Sequence, residues 1–441
     1  MAPAAEAPTR YTPENENPDA TRRLKAISFP KNNVFYVLVP ELAYMFKSSK
    51  FVENAELTNE EYWRARHGLD GIKRKMFNDT KIDRISIVPT GYCEGGCSYC
   101  YAKDGWDLTH YITNEQMDGA LTKHGITEIN NVIIYGGEPC FNWDAYERMM
   151  NHLMYDLGAK KICTVTSSFY DDETFKKLLK FIDHHGDTIA WSVSMDSMST
   201  TGKYLRQYKG KDTYQHIFDR LLEMVKHTHS IGVRQTVSRV SPNPFDLIRE
   251  LKKATGHWIP TTLDLVKYND KMILTPDQFS KLLWDTTDFI NEVYRSGDLT
   301  NEGQMFQPFS KFFEFKNLYS LIKNCDMGTA RLTIMPDGGV SDCTEDVKLG
   351  HPEQYEKGEK EYSRVFDFKK ACEKCDYKYM CNLTCFHLMG GAEEGNEGQR
   401  QYCDFQIFNN IEGVRYFIDT HPESDMDHLL ACWQVGTGVG V

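Results

Sequence analysis

The stretch Thr90-Gly91-Tyr92-Cys93-Glu94-Gly95-Gly96-Cys97-Ser98-Tyr99-Cys100 carries three cysteines spaced Cys-x3-Cys-x2-Cys. Thiolates are soft ligands, and three of them so close in sequence suit an iron-sulfur cluster or zinc. A 4Fe-4S cube takes one thiolate on each iron, so three cysteines leave one iron open to a small chelating molecule. A zinc site completed by a ligand from elsewhere in the chain is the plain structural alternative. The short apolar run Ile85, Ile87 and Val88 places the loop at the mouth of a strand.

Two further stretches hold charged residues that could contact a ligand. Gly136 and Gly137 follow the run Val132-Ile133-Ile134 and allow close approach of the backbone, while Glu138, followed by Pro139, offers a carboxylate to an ammonium group. In Ser194-Met195-Asp196-Ser197 and the Arg206 that follows, the planar fork of the arginine fits a ligand carboxylate. A solvated charge among Lys203, Lys209 and Lys211 is the other reading of Arg206. A second cysteine field closes the chain: Cys325, Cys343, Cys372, Cys375, Cys381, Cys385 and Cys403. Two tetrahedral zinc sites would need eight ligands, one more than these cysteines supply. Cys140, Cys163 and Cys432 remain as small buried hydrophobes, with Cys140 beside the glycine turn.

The elements that must position these groups follow from periodicity. Short β-rich runs over 84–90, 131–135, 161–166, 189–195, 232–238 and 261–267 alternate with amphipathic stretches such as Trp143 to Leu157, Asp172 to His184 and Tyr214 to Thr228. Apolar runs separated by helices predict a buried parallel sheet, here an α/β partial (β/α)6 TIM-type barrel with ligands at the C-terminal strand ends. Upstream, residues 33–39 read as a strand and Glu41 to Lys47 as a short helix. Thr58 with Glu61 forms a capping box for a helix to about Met76. This gives a disordered lead-in over 1–26, a small N-terminal α+β extension over 27–82 that either packs on the barrel or docks a peptide, the barrel over 83–300, and a cysteine-rich region over 301–441. Within that region, Leu332 to Gly338 reads as a hairpin presenting Cys343.

The three-cysteine loop with Tyr99 before its last cysteine, the Gly-Gly-Glu-Pro turn and the Ser-x-Asp segment together resemble the radical S-adenosylmethionine (SAM) superfamily. The C-terminal cysteine spacing resembles the SPASM domain carried by many of its members. The resemblance implies that Cys93, Cys97 and Cys100 hold a catalytic 4Fe-4S cluster, with SAM contacted by Tyr99, Gly136, Gly137, Glu138, Pro139, Ser194 and Arg206. It implies two auxiliary 4Fe-4S clusters, one on Cys325, Cys343 and Cys385 and the other on Cys372, Cys375, Cys381 and Cys403. The first then has either an open iron or a non-cysteine ligand, for which Asp326, Asp342 and Asp404 are the candidates. Ser197 replaces the family's usual Gly, and Thr166-Ser167-Ser168 replaces Thr-Asn-Gly. Relatives of this kind modify peptides, which implies an oxidoreductase acting on a ribosomal precursor peptide, with flavodoxin or ferredoxin as low-potential electron donor. Small-molecule substrates, aminoglycoside-like or tetrapyrrole, are the alternative. A sulfatase-maturing activity is disfavoured because Thr344 stands where that branch carries Asp. A non-catalytic iron-sulfur electron carrier would need neither the glycine turn nor Arg206.

Composition bounds these readings. The 441 residues include 41% hydrophobic and 12% aromatic residues, enough for a substantial core. A net charge of −12 argues against a nucleic-acid partner, which requires concentrated positive charge. The N-terminal residues contain no apolar segment of the signal or membrane type. Thirteen cysteines in such a chain point to metal ligands in a reducing compartment, so a cytoplasmic location is expected.

Overall fold

A computed structural model describes residues 16–67 apart from 43, 82 and 84–100, 110–296 apart from 201, 203, 210 and 267–270, 331–341, 375–377, 397–427 and 430. The N-terminal module contains five strands: β1 (Thr21–Lys25), β2 (Ile27–Lys31), β3 (Val34–Val39), β4 (Tyr44–Ser48) and β5 (Asn54–Thr58). Helix α1 follows over residues 59–67. Strands β2, β3 and β4 form an antiparallel sheet, and β1 pairs with β5.

Two expectations are corrected in this module. The short helix read over Glu41 to Lys47 is a 3-10 turn at Pro40–Leu42 followed by strand β4. Tyr44, Met45 and Phe46 favour a strand, and pairing Val39 with Tyr44 across the turn continues the β3 ladder. Residues 21–25, assigned above to the lead-in, are β1, whose Leu24 joins Val37, Val39, Leu42, Tyr62 and Ala65 in a core belonging to the module. The capping box is present: Thr58 Oγ1 accepts from the Glu61 amide at 3.2 Å, and the Glu61 carboxylate accepts from the Thr58 amide at 2.8 Å. The reach of that helix to Met76 lies outside the described residues.

All six barrel strands form: β6 (Arg84–Ile87), β7 (Asn131–Ile134), β8 (Lys161–Thr166), β9 (Ile189–Ser194), β12 (Ile231–Val237) and β13 (Thr261–Leu265). They lie parallel and in sequential order, and the short hairpin β10 (Gln207–Tyr208) and β11 (Lys211–Asp212) interrupts the run. Between them run α2 (Asn114–Lys123), α3 (Trp143–Asn151), α4 (Asp172–His185), α5 (Tyr214–Val225) and α6 (Phe245–Thr255). Helix α3 continues as a π-helical turn at His152–Asp156. Strands β8, β12 and β13 alternate fully buried with half-buried positions. One sheet face therefore packs against the helices, and the other is half-buried. The packed face builds a core from Ile85, Ile134, Trp191, Val193, Val233 and the apolar stripes of the helices.

A seventh parallel strand comes from the segment assigned above to the cysteine-rich region. β14 (Arg331–Ile334) pairs in parallel with β6, and β15 (Val340–Ser341) folds back antiparallel on it, which realises the expected hairpin within the barrel sheet. Leu332 and Ile334 are fully buried there, and this apolar pair drives the segment onto the β6 edge. Helix α7 (Pro276–Ser296) and helix α8 (Glu397–Thr420) pack together with β13 around Phe245, Phe289, Phe405 and Tyr416. Helix α8 also meets the N-terminal module, where Lys31 Nζ caps the helix end on the Ile418 and His421 carbonyls. Lys47 pairs with Glu423 and Asp427 nearby.

Candidate active site

The three-cysteine loop leaves the C-terminal end of β6, as expected. Thr90 starts it by accepting from the Tyr92 amide through Oγ1 at 3.1 Å, and the Cys100 amide donates to the Cys97 carbonyl at 3.2 Å. Cys97 is buried, and Cys93 and Cys100 are half-buried. Burial, with the Glu138 carboxylate adding, pushes the Cys93 thiol up to about 12. Among the described residues no three metal-ligating groups converge on a single metal ion.

The glycine turn serves the cluster loop directly. A Cβ on Gly137 would lie 2.1 Å from the Tyr92 carbonyl oxygen, so only glycine allows the two backbones to touch. The Gly137 amide donates to the Thr90 carbonyl at 3.0 Å and the Glu138 amide to the Tyr92 carbonyl at 2.8 Å. Pro139 opens a 3-10 turn whose carbonyl accepts from Tyr111 OH at 3.1 Å. Glu138, expected to face a ligand ammonium, is fully buried. Its carboxylate accepts from Thr166 Oγ1 at 2.7 Å, the Ser167 amide at 2.7 Å and the Cys140 amide at 3.3 Å, which bolts β7 to β8. Burial raises its pKa above the ordinary carboxylate value even though these donors oppose the rise.

Arg206 is not a surface charge: it is 7% exposed. It pairs with the fully buried Asp196 at 3.1 and 3.2 Å, contacts Thr236 Oγ1 at 3.3 Å and faces the Tyr99 ring. Asp196 also accepts from Tyr99 OH and, at 2.7 Å, from the Thr236 amide. Burial works against the Arg206 charge, but the Asp196 carboxylate holds its pKa well above the ordinary value. Through this network the third-cysteine region, the end of β9 and β12 are tied together. Ser194, buried at the end of β9, stands two residues before Asp196.

The structure thus brings Cys93, Cys97, Cys100, Tyr99, Gly136, Gly137, Glu138, Pro139, Ser194 and Arg206 to the same ends of neighbouring strands. Among the C-terminal cysteines, Cys375 and Cys403 are within the described residues, whereas Cys325, Cys343, Cys372, Cys381 and Cys385 lie outside them. Cys140 is fully buried, and burial pushes its thiol well above the ordinary range, as for an inert core cysteine. Sequence reasoning missed the pairing of Asp196 with Arg206 and the burial of Phe169 and Arg220. A signal existed for Arg220, an arginine standing in the apolar stripe Ile217, Phe218, Leu221 and Met224 of α5.

Comparison with known proteins agrees with this geometry. Residues 87–259 match the model of the radical SAM superfamily. No curated protein matches the chain. Among solved structures, native anSMEcpe with bound AdoMet and Cp18Cys peptide is similar over 81% of this chain and 99% of its own, at 16% identity and a TM-score of 0.54. The same protein with bound AdoMet and Kp18Cys peptide is similar over 81% of this chain and 100% of its own, at 17% identity and a TM-score of 0.56. Streptococcus suis SuiB bound to precursor peptide SuiA is similar over 78% of this chain and 81% of its own, at 16% identity and a TM-score of 0.49. With the strand order and the three-cysteine loop in agreement, residues 87–259 form a domain of the radical SAM superfamily.

Proposed function

We propose that this protein is a radical SAM oxidoreductase that abstracts a hydrogen atom from a peptide substrate to install a crosslink or another modification. The observation that carries the reading is the seat of the Cys93, Cys97 and Cys100 loop, whose backbone is locked to the Gly136-Gly137 turn by the close approach of Gly137 to Tyr92. These three cysteines would hold a 4Fe-4S cluster with one iron left for SAM. Bound there, such a cluster would supply one electron for reductive cleavage of SAM and with it the means to take hydrogen from an unactivated C–H bond.

The chain's own residues orient and enclose this chemistry. In this reading Arg206, kept charged by Asp196, presents its remaining guanidinium edge to the SAM carboxylate, while the Gly136-Gly137 backbone bounds the site near Cys93. Glu138 holds the loop after β8 in place and reaches SAM only through that scaffold. The half-buried inner face of the sheet admits substrate from the C-terminal ends of the strands. A peptide substrate is supported by the fold shared with anSMEcpe, solved with AdoMet and a peptide bound. The seven C-terminal cysteines would carry two auxiliary 4Fe-4S clusters of the SPASM type, and a low-potential flavodoxin or ferredoxin would supply electrons.

The test is anaerobic reconstitution with iron and sulfide. The reading expects about 10–12 iron atoms per chain, from three thiolate-held clusters. It also expects 5′-deoxyadenosine on addition of SAM and reductant. Changing Cys93, Cys97 and Cys100 together to Ala should remove one cluster and all SAM cleavage; cleavage surviving in that variant would refute the assignment.

A further inference from the structure

Helix α5 buries a guanidinium in the face that otherwise packs Ile217, Phe218, Leu221 and Met224 against the core. Arg220 is 4% exposed. Its NH1 donates to the Ser168 carbonyl at 2.8 Å and to the Tyr170 carbonyl at 2.9 Å, and its NH2 pairs with Asp172 at 2.7 Å. The group lies over the rings of Tyr170 and Phe175, at 5.1 and 4.8 Å. The Asp172 side chain is 85% exposed, so an ion pair with it does not require a buried arginine. Holding two backbone carbonyls at once does, because a guanidinium projects several donors in one plane.

What the arginine holds is the turn after β8. Ser168 there is fully buried with φ of +58°, a left-handed conformation that non-glycine residues adopt at a cost. Thr166 and Ser167 on one side of it fasten Glu138. Phe169 on the other side, 1% exposed, forms the shelf under the cluster loop. A Cβ on Gly95 would lie 2.8 Å from the Phe169 ring and 3.0 Å from Cys93 Sγ, so the ring and the thiol both pack against the glycine, whose amide donates to Cys93 Sγ at 3.2 Å. The Phe169 ring stacks on Tyr208 at 5.4 Å with the planes 7° apart. Strand β10 closes the layer, with the Gly96 amide donating to the Gln207 carbonyl at 2.6 Å and Gly95 bridged to Tyr208.

We propose that Arg220 and Phe169 are positioning residues for the cluster-binding thiols: Arg220 clamps the strained turn, and the turn sets the Phe169 ring that fixes where Cys93 Sγ stands. The proposal rests on the reading that Cys93, Cys97 and Cys100 hold the SAM-binding cluster. It assigns a function to a buried charge lying outside every motif of the sequence, acting through a packed ring and without touching the reacting atoms.

The test uses the full chain, reconstituted anaerobically, as wild type, Phe169→Leu, Arg220→Met, Ser168→Gly and the triple Cys93/Cys97/Cys100→Ala variant. The site cluster is read as the electron paramagnetic resonance signal present in the wild type, absent from the triple variant and altered by SAM. Phe169→Leu and Arg220→Met should lower occupancy of that cluster, or the affinity with which it reports SAM, on the order of tenfold, as for other residues that orient metal ligands. The signal that persists in the triple variant should be unchanged in both. Ser168→Gly keeps the carbonyl that Arg220 holds and relieves the backbone, so it should retain the wild-type signal with equal or higher thermal stability. Should Arg220→Met fail to fold, Phe169→Leu still decides, because it leaves the clamp intact and removes only the shelf. Full site-cluster signal and an unchanged SAM response in Phe169→Leu would overturn the proposal alone, and so would loss of signal in Ser168→Gly. A wild type indistinguishable from the triple variant would overturn the assignment of the three cysteines and this proposal with it.

Discussion

Replacing Arg206 with methionine removes the cation from a carboxylate that is fully buried. Asp196 would keep two donors, Tyr99 OH and the Thr236 amide, and lose the guanidinium contacts at 3.1 and 3.2 Å. Breaking a buried pair from one side costs about 3–5 kcal/mol, because the orphaned charge stays in low dielectric. Asp196→Asn should cost a similar amount, since it leaves Arg206 with Thr236 Oγ1 at 3.3 Å and the Tyr99 ring as neighbours. The double variant carries neither charge and should be more stable than the two single losses imply, with a coupling energy of roughly 2–3 kcal/mol or more. Anaerobic urea unfolding, followed by fluorescence of the buried Trp191, measures the four corners of the cycle. SAM affinity, measured on the folded proteins, gives an independent second axis. Arg206→Met should weaken it at least roughly tenfold, for loss of a charge-assisted contact of about 1.5–3 kcal/mol. Asp196→Asn, which keeps the cation, should weaken it less. Additive stabilities within about 0.5 kcal/mol would refute the buried-pair argument, and unchanged SAM affinity in Arg206→Met would refute the role of the arginine in the site.

Three other perturbations follow. Gly137→Ala would drive a methyl into the Tyr92 carbonyl, 2.1 Å away, so the cluster loop should lose its seat; the expected result is loss of the site cluster by iron analysis, and a fully loaded variant would contradict it. Burial opposes protonation of His152, but hydrogen bonds to Asp118 and Asp156, both at 2.7 Å, raise its pKa above the ordinary 6.5. The folded state therefore binds this proton more tightly than the unfolded chain, and the stability it contributes is fully present below pH 6.5 and lost as pH rises through the folded value. His152→Gln should flatten the melting temperature against pH above 6.5, and parallel profiles would show that the histidine does not carry the dependence. Deleting residues 16–67 removes a module with its own core, which reaches α8 through a Lys31 hydrogen bond and the residues after it through ion pairs of Lys47. If that module docks a precursor peptide, its loss should reduce precursor turnover while SAM cleavage by the barrel persists; unaltered precursor affinity would reject docking.

Much of the chemistry was legible in the sequence because it is local. A Cys-x3-Cys-x2-Cys loop, a Gly-Gly-Glu-Pro turn and six β-rich runs separated by amphipathic helices are patterns within a few residues or one helical period, and each appears at its expected place. Where the expectation failed, the deciding contact is distant in sequence. Tyr44 to Ser48 became a strand because β3 offered a ladder to extend, which outweighed the weak helical reading of Glu41 to Lys47. Residues 331–334 joined the barrel sheet because the edge of β6, nearly 250 residues upstream, had a row of free donors and acceptors and an apolar surface to cover. The residues around the site divide the same way. That Arg206 and Glu138 are present and near the ligand-bearing ends of strands follows from the sequence alone. That Arg206 is buried against Asp196, that Glu138 spends its oxygens on Thr166, Ser167 and Cys140, and that Arg220 reaches the Ser168 and Tyr170 carbonyls were decided only by tertiary structure. A buried charge takes whichever partner the packing brings to it, and spacing along the chain does not encode that choice.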